Sequence, residues 1–299
     1  MTAAQAAVGV ASTTAPRRAR VRRAIDPIEV ALRAHSALVY LFLYIPILIV
    51  VVYSFNGSRL VRVWGGFSTR WYEAAWTDPQ VLNPLKTSLI VATLNMIFAT
   101  TLGTMAALAI GRANRPVRLF FDALVFTSLI VPEVVIALAS LLFLNGAFGV
   151  LGGLGINVSF GIPTIVAGHV LWNLSLVILV VRARMAGMDR TLIEASADLF
   201  ATPWRTFTGV TLPQLTPAIV AGALLSFTFS MDDVVISTFL SGVGSTTLPM
   251  RVFSMIRFGV TPVVNAISTV MLLATLIVIV VSQWLVRSAG RPKAVAKTE

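Results

Sequence analysis

Six uninterrupted apolar runs constrain this chain more than any other feature. They lie at approximately Ser36 to Phe55, Leu85 to Ile110, Leu119 to Leu144, Ile162 to Val181, Leu215 to Leu240 and Val263 to Val286. About 20 helical residues cross a hydrocarbon core about 30 Å thick. Inside such a core every backbone polar group must be bonded internally, which leaves helices or a closed barrel. The runs are continuously apolar and do not alternate as barrel strands do. The expected fold class is therefore all-α, an integral membrane bundle of six transmembrane helices. With 57% hydrophobic and 12% charged residues and a mean hydropathy of +0.88, the chain is far from the roughly 25% charge of a soluble domain. Cysteine is absent, which excludes disulfides and thiolate metal sites.

Basic residues set the expected orientation. Seventeen of the 23 Lys and Arg residues fall on one side of the spans, in the stretch up to Arg33, between Arg112 and Arg118, between Arg182 and Arg205, and from Arg287 onward. Arg59, Arg62, Arg70, Lys86, Arg251 and Arg257 fall on the other. The richer side, with both termini, is expected to be cytoplasmic. These clusters also produce the net charge of +11. Flanking membrane spans, they suit contacts with anionic membrane lipids, and no nucleic-acid partner is expected. The chain is expected to divide into a disordered basic tail at 1–34, a six-span domain at 35–288 and a second tail at 289–299. The arginines after Pro16 are not followed directly by an apolar core, so no cleavable signal is expected.

Catalytic motifs are missing. Only His35 and His169 are available, so a His-Glu-x-x-His zinc site is excluded, and no Gly-x-Ser-x-Gly elbow occurs. The glycine-rich stretch from Gly146 to Gly161 lacks the strand, the spacing and the lysine of a phosphate loop. The chain is thus not expected to be an enzyme or to hold a cofactor. His169 lies within the fourth span, where a hydrogen bond facing the bundle is its expected role.

The loop at 182–212 has helical-hairpin signals. Asp189 precedes Thr191 to Leu199 as a capping residue, and Thr202 before Pro203 opens a second short helix that Pro213 is expected to close. The hairpin carries Leu192, Phe200, Trp204 and Phe207, an apolar surface that asks for a partner.

The run "EASADLFATPWRTFTGVTLP" resembles the EAA motif of permease subunits of binding-protein-dependent ABC importers. Glu194, Ala195, Val210, Leu212 and Pro213 fall on the pattern or near it. Ser196 stands where the pattern has alanine and Phe200 where it has glycine; that glycine would suit a positive φ, which phenylalanine adopts only at a cost. "SFTFSMDDVVISTF" and "VPEVVIALASLLFL" are similar to the second permease of spermidine/putrescine importers. The resemblance implies a type I importer fold and a hairpin that docks on a cytoplasmic ATPase through Glu194, Ala195, Ser196, Phe200, Trp204, Leu212 and Pro213. It further implies a second homologous permease, two ATPase subunits that carry ATP and Mg²⁺, a periplasmic binding protein, and residence in a bacterial inner membrane.

The acidic residues of the spans fit a polycationic substrate. A carboxylate near the bilayer centre costs about 2.5–3.5 kcal/mol on insertion scales and requires a function or a partner. Apart from Lys86 at the outer end of the second run, no Lys or Arg lies inside the six runs. Spacings of four, three and four place Ser226, Ser230, Asp233 and Ser237 on one helical face, with Asp232 about 100° away. On that reading Asp233 lines a cavity and Asp232 bonds to a neighbouring helix. Glu133 follows Pro132, where a kink is expected to open space for substrate. The acids then serve either a cation path or the bundle's internal bonding. Another small solute such as an amino acid, or ion-coupled secondary transport, are the alternatives to polyamine import.

Overall fold

The computed structural model describes residues 27–60, 63–259 and 261–289. The arginines from Arg17 to Arg23, Arg62, and the C-terminal residues Arg291 to Lys297 lie outside them. The chain forms two compact units, residues 1–48 and 49–299. Among its described residues the first is a single helical segment, the beginning of α1 (Pro27–Ser54). Residues 27–34, expected to belong to a disordered tail, are helical, and the rest of that expected tail lies outside the described residues. Proline suits a first helical turn, and the Arg33 guanidinium donates to Glu29 one turn back at 2.6 Å.

In the second unit, α2 (Arg70–Thr77) is the short helix that the tryptophan-rich loop has room for. Trp71 within it donates its indole N–H to the Asn56 carbonyl at 2.7 Å. Next come α3 (Pro79–Arg112), α4 (Arg115–Ile130), α5 (Glu133–Gly153) and α6 (Ile162–Ala186). The loop at 182–212 contains α7 (Thr191–Asp198) and α8 (Pro203–Thr206), and a π-helical turn at Phe207–Thr211 leads into α9 (Leu212–Asp232). The remainder is α10 (Val235–Leu240), α11 (Leu248–Phe258) and α12 (Pro262–Ala289). No strand occurs among the described residues. Six helices there are long and apolar enough to cross a membrane: Ile28–Ser54, Pro79–Arg112, Glu133–Gly153, Ile162–Ala186, Pro203–Asp232 and Pro262–Val281.

Helices α3, α6 and α9 make the central packing. On α3 the buried face runs through Ser88, Ala92, Asn95, Ala99, Gly103 and Ala107. Small residues about one turn apart let backbones approach closely, the main source of helix association where lipid is as apolar as the side chains. Ala99 and Ala107 pack with Val125 of α4, with Val177, Ile178 and Val181 of α6, and with Leu215 of α9. Toward the other end of α6, Ile165 and Val166 pack with Val91, with Ala137 of α5, and with Ile236 and Leu240 of α10.

Three features correct the sequence reading. The third run is two helices, α4 and α5, because Pro132 lacks an N–H and pushes Val131 out of helical geometry. The fifth run is also broken, at Asp233. Pro213, finally, does not close the second hairpin helix. Leu212 donates back five residues to the Phe207 carbonyl, and this wider turn accommodates a residue with no N–H, so one helix runs from Pro203 to Asp232.

An ion pair went unnoticed in the sequence. The Arg182 guanidinium donates to both carboxylate oxygens of Asp122, joining α6 to α4. Both are only partly exposed, at 27% and 23%. Removing one partner leaves an uncompensated charge, so Asp122→Ala is expected to cost about 3 kcal/mol, and Asp122→Leu combined with Arg182→Met less than either alone. Thermal unfolding of the purified complexes checks this; additive losses would contradict it.

Candidate functional site

Two helix breaks meet at one place in the second unit. At the first, α4 ends at Ile130, Val131 and Pro132 are extended, and Glu133 begins α5. At the second, α9 ends at Asp232, Asp233 is extended with φ −68° and ψ 128°, and α10 begins at Val235. The Asp233 carboxylate accepts from the backbone N–H of Ile236 at 3.1 Å and of Ser237 at 2.7 Å. A short carboxylate that bonds the backbone ahead of it ends one helix and caps the next.

His169 ties this cap to α6. Its Nε2 lies 2.9 Å from Asp233 Oδ2 and 3.2 Å from Ser237 Oγ, and its Nδ1 lies 2.6 Å from Ser230 Oγ. A carboxylate accepts, so Nε2 donates to it, and the Ser230 hydroxyl bonds the other ring nitrogen. The imidazole is 1% exposed, which matches the bundle-facing bond expected of it. Gly168 makes the approach possible: a Cβ there would lie 2.4 Å from Leu240 and 2.6 Å from Ile236 of α10.

Ser226, Ser230, Asp233 and Ser237 are all buried, but not as one face of a continuous helix. Ser230, Asp233 and Ser237 converge on His169. The Ser226 hydroxyl bonds the Ala223 carbonyl at 2.9 Å, and the Ser226 carbonyl accepts from Asn95 Nδ2 at 2.8 Å. Asn173 Nδ2 donates in turn to Asn95 Oδ1 at 3.4 Å and to the His169 carbonyl at 3.0 Å. This amide chain was not foreseen; the one signal for it was the placing of Asn173 four residues after His169.

Asp233 lines the cavity as read, but as a buried and bonded side chain and not as a free acceptor. Asp232 is exposed. The cause is the break itself, which removes the helical phase on which the assignment relied. Asp232 and half-buried Glu133 line a cavity of about 280 Å³, with Trp172 and Phe229 on its wall. These two rings meet edge to face, with centroids 5.2 Å apart. Glu133 is within electrostatic reach of both aspartates. No Lys or Arg lines the cavity, and the carbonyl end of α9, where the helix dipole is negative, opens beside it. Carboxylates, a negative helix end and aromatic faces together favour a cation with an apolar stem.

The hairpin residues form a separate group, between α6 and the body of α9. The Asp189 carboxylate caps α7, accepting from the Thr191 N–H at 2.9 Å. Phe200, in the glycine position of the motif, has φ +56°. Around it Ala201 N–H donates to the Ser196 carbonyl at 3.0 Å and Phe200 N–H to the Ala197 carbonyl at 2.9 Å, a Schellman closure. Ser196 also bonds Thr206 across the hairpin at 2.9 Å, a contact alanine would not make. Phe200 and Trp204 are 95% and 71% exposed, and Glu194, Ala195, Leu212 and Pro213 are exposed too. Phe207 is half-buried, its ring 5.9 Å from that of Trp204.

Residues 99–291 match the family described as the binding-protein-dependent transport system inner membrane component. The chain is 40% identical over 259 residues to the putrescine transport system permease protein PotI of Escherichia coli strain K12, covering 85% of this chain and 90% of that one. It is 36% identical over 249 residues to the spermidine/putrescine transport system permease protein PotC of the same strain, covering 83% and 91%. A crystal structure of a bacterial ABC transporter that imports the acidic polysaccharide alginate contains a chain of the same fold, with a TM-score of 0.73 at 15% identity, covering 88% of this chain and 96% of that one. Six helices of membrane-spanning length, the family match across most of the sequence and relatives aligned over nearly their whole length lead to one conclusion: this chain belongs to the binding-protein-dependent transport system inner membrane components, the multi-pass permease subunits of ABC importers.

Proposed function

We propose that this permease passes linear polyamines such as putrescine and spermidine inward, along a path that includes the cavity at the two helix breaks. One observation carries the reading: Asp232 and Glu133, with no Lys or Arg of the described residues beside them, share a cavity wall with Trp172 and Phe229. A polyamine offers ammonium groups to the carboxylates and methylenes to the rings. The relatives named for putrescine and spermidine support the same substrate class.

On this reading the chain pairs with a second homologous permease, two ATPase subunits acting on ATP and Mg²⁺, and a periplasmic binding protein. Both termini and the loop at 182–212 face the cytoplasm, as the basic residues require. With cysteine absent from the sequence, Ala201→Cys is expected to react with an impermeant thiol reagent only in inside-out vesicles and Thr77→Cys only in right-side-out ones; the opposite pattern would overturn the orientation.

Coupling follows from helix continuity. The second arm of the hairpin and the fifth span are one helix of 30 residues from Pro203 to Asp232, roughly 45 Å long at 1.5 Å per residue. Eleven residues after Pro203 the helix is tied to α6, because Arg184 Nε donates to the Gln214 carbonyl at 2.9 Å. A displacement imposed on the hairpin by an ATPase is therefore delivered to the carboxylate break. Phe200→Gly keeps the turn, since glycine accepts φ +56° without strain, and strips away an exposed ring. Weaker co-purification of the ATPase at unchanged melting temperature is the expected result; wild-type retention would remove Phe200 from the docking surface.

Reconstitution tests the function as a whole. Proteoliposomes holding both permeases and the ATPases, supplied with the binding protein and ATP, should accumulate labelled putrescine or spermidine. Uptake of amino acids in place of polyamines would refute the reading.

A further inference from the structure

The cavity has an acceptor that the carboxylate reading does not use. Asn173 is 2% exposed and lines the same cavity as Glu133 and Asp232. Its Nδ2 donates to the His169 carbonyl and to Asn95 Oδ1, both of which only accept. Asn95 is fixed in turn by its donation to the Ser226 carbonyl. The carboxamide cannot flip without placing oxygen against oxygen, so the orientation of Asn173 is determined by its neighbours. Its Oδ1 is buried and accepts from no described protein group. Donation from Nδ2 polarises the amide and makes that oxygen a better acceptor. Buried carbonyl oxygens left unsatisfied are uncommon, and sites of function are where they persist.

Position gives the oxygen a place along the path. Asn173 lies one turn beyond His169 on α6, about 6 Å along the axis. One further turn on is Val177, fully buried against Gly103, where a Cβ would lie 2.8 Å from the valine side chain. On the face shared with His169 and Val177, Asn173 is thus the last acceptor before an apolar seal; buried Ser175 is turned about 200° away from it. Here the oxygen is closed off, and a donor reaches it only as the helices part.

We propose that Asn173 Oδ1 is a second recognition point for the translocating amine, receiving an N–H from one nitrogen while Asp232 and Glu133 hold another. The proposal rests on the amine reading given above and narrows it to linear substrates with at least two protonated nitrogens. A neutral carbonyl suits a handover site. It satisfies an ammonium N–H through a single hydrogen bond, as an oxygen of either an amide or a carboxylate at this position can.

The test separates the acceptor from the bundle bonds of the same side chain. Asn173→Asp keeps oxygen acceptors and loses both Nδ2 donations. Asn173→Ala loses everything. Asn95→Ala removes one partner of Nδ2 and leaves Oδ1 in place. In the reconstituted complex with saturating putrescine-loaded binding protein, Asn173→Ala should lower the maximal uptake rate about tenfold, with Asn173→Asp and Asn95→Ala within about threefold of wild type. If Asn173→Asp falls as far as Asn173→Ala, or Asn95→Ala reproduces the defect, the residue is bundle bonding and the proposal is overturned. Should Asn173→Ala fail to assemble, Asn173→Asp decides: a rate within about threefold of wild type is expected, and a loss of about tenfold overturns the proposal. Asp232→Asn, run alongside, tests the amine reading separately: full uptake there refutes that reading and this proposal with it, whereas reduced uptake there with a full rate in Asn173→Ala refutes this proposal alone.

Discussion

Asp233→Ala is expected to prevent recovery of a stable complex. The buried carboxylate accepts from the Ile236 and Ser237 N–H groups and from His169. Hydrogen bonds to a charged group contribute about 1.5–3 kcal/mol each, and stranded donors add to the loss. Several kcal/mol is a large share of the roughly 5–15 kcal/mol that keeps a domain folded. Without its cap α10 also loses one of the bonds that hold it near α6, leaving that from Thr164 to the Leu240 carbonyl. Thermal unfolding in detergent should show a fall of 10 °C or more, or loss of the monodisperse complex. Asp233→Asn, which retains one acceptor, should be intermediate, and Ser230→Ala should cost only about 1 kcal/mol. A wild-type melting temperature for Asp233→Ala would show that the cap is not structural.

Asp232→Asn should do the opposite, leaving assembly intact and impairing transport. Asp232 is exposed and no described hydrogen bond depends on its side chain, so the fold has little to lose. The substitution preserves shape and removes the charge that an ammonium group would meet. Loss of one charge-assisted bond of about 1.5–3 kcal/mol corresponds to roughly 10- to 150-fold at limiting substrate. Glu133→Gln should act in the same direction, and the double variant should be less than additive, because the two carboxylates serve one cation.

The contrast between the aspartates marks where sequence reasoning ends. Apolar length revealed the membrane helices because the bilayer imposes it on every span. The positive φ at Phe200 was legible because a motif glycine signals that backbone conformation. Asp233 was misread because ending a helix there depends on His169, 64 residues earlier in the chain, and no local pattern carries that distance. The same holds for Asp122, whose arginine is 60 residues away. Pro132 shows the intermediate case: the missing donor predicted a distortion, and the surroundings turned a kink into a break. Asn173 was invisible for another reason, since its unpartnered oxygen exists only once Asn95 and the His169 carbonyl have taken its donors.

The most direct test of the central claim compares two changes at Asp232. Complexes with Asp232→Asn and with Asp232→Glu, matched for assembly, would be reconstituted with the ATPases and binding protein and their labelled putrescine uptake measured at limiting substrate, normalised to ATP hydrolysis. A cation path through the break predicts uptake in the glutamate variant within about threefold of wild type and a loss of at least tenfold in the asparagine variant. Equal uptake by the two would contradict the account.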